Sequence, residues 1–245
     1  MGAEFTINQV DVQISRSLSA GGTVQCTSAS NRRKAWLALE LVALFVVAPL
    51  GANRVIHGAH IPLFFTLVPV LFVVLALLAA DRNFLLRTEL ARGFSRRTLL
   101  SIVALFAIAG GALTAWVLTA HPDWFLEFPR RSPETYKRIM ILYPLASVAA
   151  QELIYRTFYF HRYGPLFGAQ HWLAILLNGA LFGFAHIVIG TSFAIGATAL
   201  SGTVLAARYA ATRSYWAVFL EHTLWGWLIF TIGLGRYFFT GVSNV

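Results

Sequence analysis

Hydrophobic and polar positions along the chain separate into long blocks rather than into short alternating runs. Seven apolar stretches lie near 35–53, 61–80, 98–120, 138–160, 170–189, 191–208 and 214–235. Each is close to the roughly 20 residues that a helix needs to cross a bilayer core. Lipid offers no partner to a free N–H or C=O, so each stretch is predicted to be helical. The pattern therefore predicts an all-α fold, a polytopic membrane helix bundle of about seven transmembrane helices. The sixth stretch is the weakest, being short and rich in Ala, Gly and Ser.

Between the blocks the chain is polar. Residues 1–34 are Ser-rich and predicted to form a mobile N-terminal tail, and 236–245 a C-terminal tail. Residues 35–137 hold the first three spans, and 138–235 a second group of helices. The intervening segment HPDWFLEFPRRSPETYKR (121–138) is predicted to lie at the membrane interface, anchored by Trp124 and Phe125. GALFG at 179–183 is a small-xxx-small pattern that lets the fifth helix approach a neighbour closely.

Composition agrees with the block pattern. The chain is 58% hydrophobic and 12% charged, where a soluble domain carries about 25% charged residues. Its formal charge of +9 does not point to nucleic acid, because the basic residues cluster in the gaps between apolar blocks. Thirteen of the 19 Lys and Arg residues fall on the side of the N-terminus. By the positive-inside rule that side is cytoplasmic; the basic segment at 121–138 pulls the other way. The expected location is a multi-pass protein of the bacterial inner membrane. Cys26 is the single cysteine, so no intrachain disulfide can form.

Charge inside a span costs about 2.5–3.5 kcal/mol on insertion scales, so an ionisable residue there is a candidate for function. The set is small: Glu40, Glu152, Arg156, His186, Glu221 and His222, with Gln151 and Asn178 as neutral companions. Glu40 is expected to be an interhelical hydrogen-bond partner. Glu152 and Arg156, four apart, share a helix face and can pair. A helix rise of about 1.5 Å per residue puts Glu152 about 15 Å, His186 about 24 Å and His222 about 12 Å from the cytoplasmic ends of their helices. Helix tilt and the placing of the helix ends absorb this scatter of about 10 Å, so a carboxylate and two imidazoles can meet at one level, a set suited to hydrolysis or to metal binding.

Three motifs in order carry a family resemblance: QELIYR at 151–156, FGFAH at 182–186 and HTLWG at 222–226. The chain resembles the CAAX-processing and bacteriocin-processing intramembrane proteases, relatives of the eukaryotic prenyl-protein endopeptidase, over about residues 138–235. The corresponding family motifs are E-E-x-x-x-R, F-x-x-x-H and H-x-x-x-N. The resemblance implies that a glutamate of the first motif and His186 activate a water, while His222 and the closing residue stabilise the oxyanion. It also implies a membrane-protein or lipidated-peptide substrate, the lipid bilayer as surroundings, no nucleic-acid partner and no cofactor.

Two positions depart from the family pattern. Gln151 stands where the leading glutamate is expected, and Gly226 where the asparagine is expected. A glutamine can hydrogen-bond a water but cannot take its proton, and glycine has no side-chain donor. The missing base is then Glu152, or Glu221 beside His222, or His186 itself with Gln151 positioning the water. Against the protease reading stand a non-cleaving relative that binds membrane proteins and a Glu/His metal-dependent peptidase, the latter without an H-E-x-x-H motif. A proton-coupled transporter would call for an internal repeat, and none is visible.

Overall fold

The computed structural model describes residues 23–59 and 63–238. All regular structure among them is helical, as the apolar blocks require. Among the described residues, and apart from short 3-10 turns, nine helices follow in order: α1 (23–59), α2 (Leu63–Ala80), α3 (Leu86–Ala91), α4 (96–120), α5 (Glu127–Arg131), α6 (133–162), α7 (His171–Ala185), α8 (Ser192–Thr212) and α9 (Tyr215–Thr231). Each of the seven apolar stretches corresponds to one of the long helices. Three of these, over Asn31–Gly58, Arg96–Ala120 and His171–Ile189, are long and apolar enough to cross a membrane, and Leu67–Ala80 is a shorter apolar segment. By compactness the chain divides into residues 1–40 and 41–245. In the first unit Glu40 lies half-buried on α1; in the second, large apolar side chains such as Phe72, Ile108 and Leu200 point outward, the surface expected to face lipid.

Two boundaries differ from those read in the sequence. Residues 23–34, assigned to the tail, are the opening turns of α1, because nothing among them breaks a helix propagating from the apolar block. Residues 1–22 and 239–245 lie outside the described residues. The segment 121–138 is also different. Its last residues belong to α6, which starts at Pro133 with Glu134 in its first turn, a proline position that lacks only an N–H the helix would not use. Trp124 and Phe125 pack against the buried Val117, Ile232 and Leu234. Trp124 also stacks on His121 at 3.8 Å and lies under Arg236 at 4.3 Å. The aromatics expected at the interface thus close one end of the protein itself.

Helix boundaries follow local chemistry. Ser95 Oγ accepts from Thr98 N–H at the start of α4, Thr191 Oγ1 from Ala194 N–H at α8, and Ser214 Oγ from Ala217 N–H at α9, each satisfying a free donor of the first turn. Arg213, with φ +50°, ends α8 in the left-handed region, and the short turn to Ser214 makes α8 and α9 antiparallel neighbours.

The pair α7–α8 packs most closely of all. A Cβ on Gly179 would lie 2.0 Å from Thr203 Oγ1, and one on Gly183 would lie 2.7 Å from the Ile195 carbonyl oxygen. The small-xxx-small pattern of the fifth stretch is therefore the contact surface for the sixth. Opposite, Phe45 of α1 meets the rings of Tyr155, Tyr159 and Tyr163 edge-on, with centroids 5.1, 5.7 and 5.9 Å away. Near the ends of α2 and α6, His161 Nε2 and Asp81 Oδ2 are 3.0 Å apart.

Helix α6 carries the unusual backbone. It has π-helical turns at Tyr143–Val148 and Leu153–Phe158, on either side of Ala149–Glu152. Pro144 accounts for the first, since it cannot donate to the preceding turn and its ring crowds the carbonyl four residues back. Similar π turns at Ala43–Val47 and Phe106–Gly110 interrupt α1 and α4. Single π turns re-aim the side chains that follow them and recur at functional sites.

Candidate active site

Polar residues of α6, α7 and α9 meet where the two π turns of α6 face α9. Glu152 and Arg156 are wholly buried. Glu152 Oε1 lies 2.7 Å from His222 Nδ1 on α9, a bond between residues 70 positions apart. Its other oxygen, Oε2, is 3.5 Å from Arg156 Nε. That contact is coulombic, because neither atom makes a hydrogen bond.

Arg156 is held from several directions. Its Nη1 donates to Asn178 Oδ1 at 3.0 Å, and Asn178 Nδ2 donates to the Tyr155 carbonyl oxygen at 2.6 Å. The guanidinium carbon stands 4.7 Å above the Phe182 ring, close enough for a cation–π contribution. Asn178, a neutral companion in the sequence, clamps α7 to α6 through this arginine.

Phe182 is the hub on the other side. Its ring meets those of Tyr155, His186 and His222 at centroid distances of 5.1, 4.8 and 5.7 Å. His186 caps the C-terminus of α7, and its Nδ1 lies 2.7 Å from the Phe182 carbonyl oxygen. A carbonyl oxygen and a carboxylate only accept hydrogen bonds. The hydrogen therefore sits on Nδ1 of both histidines, which leaves Nε2 as the nitrogen whose protonation can change. In the neutral form of each ring, Nε2 is the proton acceptor.

A cavity of about 1030 Å³ opens beside this network, with walls that are mostly apolar. Its polar lining includes Tyr143, Ser147, Gln151, His186 and His222, and Gly226 contributes bare backbone. Glu152 and Arg156 do not line it; the carboxylate stands behind His222. Gln151 Nε2 donates to Ser147 Oγ at 2.7 Å, while its Oε1 is buried without a partner.

Of the polar residues singled out by sequence, Glu152, Arg156 and His222 form one contact chain, while His186 shares the Phe182 ring with Arg156 and His222. Gln151 shares the cavity with the two histidines. Glu221 is not brought to this group. Although adjacent to His222 in sequence, it is buried in a two-pronged pair with Arg208, with Nε–Oε2 2.7 Å and Nη2–Oε1 3.1 Å. Adjacent helical residues diverge by about 100°, and Arg208 of α8 takes the carboxylate on that side.

Tyr143 and Ser147 were not singled out by sequence. The spacing carried a signal: Tyr143, Ser147 and Gln151 stand at i, i+4 and i+8 of one helix, a polar stripe on an apolar span. Among the described residues no group of three or more His, Cys, Asp and Glu side chains is placed to hold a metal ion.

Residues 134–228, from the start of α6 through most of α9, match the family described as Type II CAAX prenyl endopeptidase, Rce1-like. No curated protein and no solved structure matches the chain. The matched segment contains Gln151, Glu152, Arg156, His186, His222 and Gly226, the positions where the sequence resembles the CAAX-type intramembrane proteases, so over these residues the chain is similar to that family.

Proposed function

We propose that the protein is an intramembrane endopeptidase that hydrolyses peptide bonds of membrane-embedded or lipid-modified substrates, with water activated by His222 backed by Glu152. The observation that carries this reading is the 2.7 Å bond from His222 Nδ1 to the buried carboxylate of Glu152. A carboxylate on Nδ1 orients an imidazole and stabilises the imidazolium that forms when Nε2 takes a proton, the logic of hydrolytic dyads and triads. His222 then transmits the carboxylate's effect to the cavity that Glu152 itself does not reach.

In this scheme the water oxygen bonds to the peptide carbon as His222 Nε2 takes one of its protons. The carbonyl electron pair moves onto oxygen. On collapse the C–N bond breaks and the imidazolium returns its proton to the leaving amine. Gln151 Oε1, buried and unpartnered, accepts the water's other hydrogen and fixes its approach. A carboxamide in this role positions the nucleophile without competing for the proton. His186 Nε2 is a second acceptor at the cavity wall.

The largely apolar cavity suits a substrate delivered from the bilayer. The charge distribution supports an N-terminus in the cytoplasm of a bacterial inner membrane, which reporter fusions to either end would check. His222 and Glu152 supply the base in this scheme, so cleavage by purified protein is expected to survive chelators.

The test is cleavage of a reconstituted membrane substrate, identified by comparing the membrane proteomes of cells carrying wild type or Glu152→Ala. Glu152→Gln and His222→Gln should each lower kcat by about 10²–10⁴-fold, the usual worth of general-base catalysis. Wild-type rates in both variants would remove the dyad from the mechanism. Gln151→Glu restores the family's leading acid and should raise kcat. A non-cleaving membrane scaffold, the reading that Gln151 and Gly226 favour, would show no cleavage in any of these proteins.

A further inference from the structure

The departure at Gly226 leaves a hydrolase without the side chain expected to hold its oxyanion, and the structure fills that space from another helix. A Cβ built on Gly226 would lie 2.1 Å from Tyr143 Cε1 and 2.6 Å from Tyr143 Oη. The tyrosine ring thus occupies the volume that a side chain at 226 would need, and glycine is the residue that admits it. The phenol oxygen sits about as far from that Cβ position as an asparagine amide nitrogen would from its own.

The ring is held in place on both sides. It meets His222 edge-on at a centroid distance of 6.1 Å and Phe230 at 5.5 Å. Tyr143 opens the first π turn of α6, directly before Pro144, where the relaxed backbone sets its direction. Tyr143, Gly226, His222 and Gln151 all line the one cavity.

We propose, resting on the proteolytic reading above, that Tyr143 is a catalytic residue whose hydroxyl donates to the carbonyl oxygen of the scissile bond as it becomes an oxyanion. Tyr143 and Gly226 then act as a pair: the donor comes from α6, and the glycine of α9 leaves room for its ring. Tyrosine hydroxyls serve as such donors, and loss of one typically lowers kcat by about 10²–10³-fold.

Two measurements test this. In the first, Tyr143→Phe keeps the ring against Gly226 and removes only the hydroxyl. The expected result is a fall in kcat of about 10²–10³-fold with KM near wild type, since the bond strengthens only in the transition state. Tyr143→Ala/Gly226→Asn, which places a donor on α9, should recover about tenfold or more over Tyr143→Ala, a rescue within the range of one oxyanion donor. An unchanged kcat in Tyr143→Phe, or a rise in KM alone, overturns the assignment.

The second measurement needs no turnover: affinity for a peptide phosphonamidate, which mimics the tetrahedral oxyanion, against affinity for the matching peptide. Tyr143→Phe should weaken the mimic about 100-fold and leave the peptide unaffected. Equal weakening of both, or of neither, overturns the tyrosine's role whether or not wild type cleaves. Tyrosine-dependent binding of the mimic by a wild type that cleaves nothing supports the donor and overturns the proteolytic reading.

Discussion

Arg156 shows how a charge is made tolerable where water is absent. It has no exposed surface, and it is surrounded by Glu152, Asn178 and the face of Phe182. A buried pair gains little over an apolar replacement of both partners, yet removing one member leaves an uncompensated charge. Arg156→Leu is therefore expected to destabilise the protein by about 3–5 kcal/mol, read as a lower unfolding midpoint in detergent. Arg156→Leu/Glu152→Leu should recover much of that stability while remaining inactive. Equal stability of Arg156→Leu and wild type would mean that the pair does not hold the site together. The pairing of Glu152 with Arg156 was legible from their spacing of four. The bond from Glu152 to His222 was not, because it joins residues 70 positions apart and depends on how α6 and α9 rotate. Glu221 illustrates the converse: beside His222 in the chain, it faces Arg208 in the fold.

Helix contacts set the site's dimensions. Gly183 follows Phe182, the ring shared by Arg156, His186 and His222, and it presses against Ala199 and the Ile195 carbonyl of α8. Gly183→Ala adds a methyl group against backbone, which cannot move aside as a side chain would. The helices must part, at an expected cost of about 1–3 kcal/mol, with a parallel loss of activity as Phe182 shifts. Gly196 on α8 has open space around its would-be Cβ, so Gly196→Ala is the matched control and should leave both properties unchanged. Thermal unfolding and kcat of the two variants decide this. The small-residue pattern at 179–183 announced such a contact, although not its partner. The π turns of α6 were less accessible. Pro144 marks the first, but the turn at Leu153–Phe158 contains no proline to announce it.

The whole molecule is tied together outside the hydrophobic layer as well as within it. At the ends of α2 and α6, the N–H of Asn83 and then the ring of His161 hold the Asp81 carboxyl below its ordinary value of 3.8. A carboxyl whose pKa is lower in the folded state contributes stability that is complete above its unfolded pKa and lost as pH falls through the folded one. Wild type should therefore be more stable than Asp81→Asn at neutral pH, and the difference should begin to shrink near pH 4 and vanish once pH has fallen below the folded-state value. Unfolding midpoints of both proteins across pH 2–8 check the sign. A difference that persists undiminished in acid would show that the ionised carboxylate is not the source.

Sequence alone determined that the chain is helical and membrane-embedded, because block length and the cost of unpaired backbone in lipid leave no other solution. It also set out a small group of polar positions inside the spans and the family motifs that contain most of them. Only the tertiary structure decided which of those positions meet. Depth along a helix can be counted from its ends, but the direction a side chain faces depends on local π turns and on the packing of neighbours. That is why Glu152 stands behind His222, why Glu221 belongs to Arg208, and why the space beside Gly226 belongs to Tyr143.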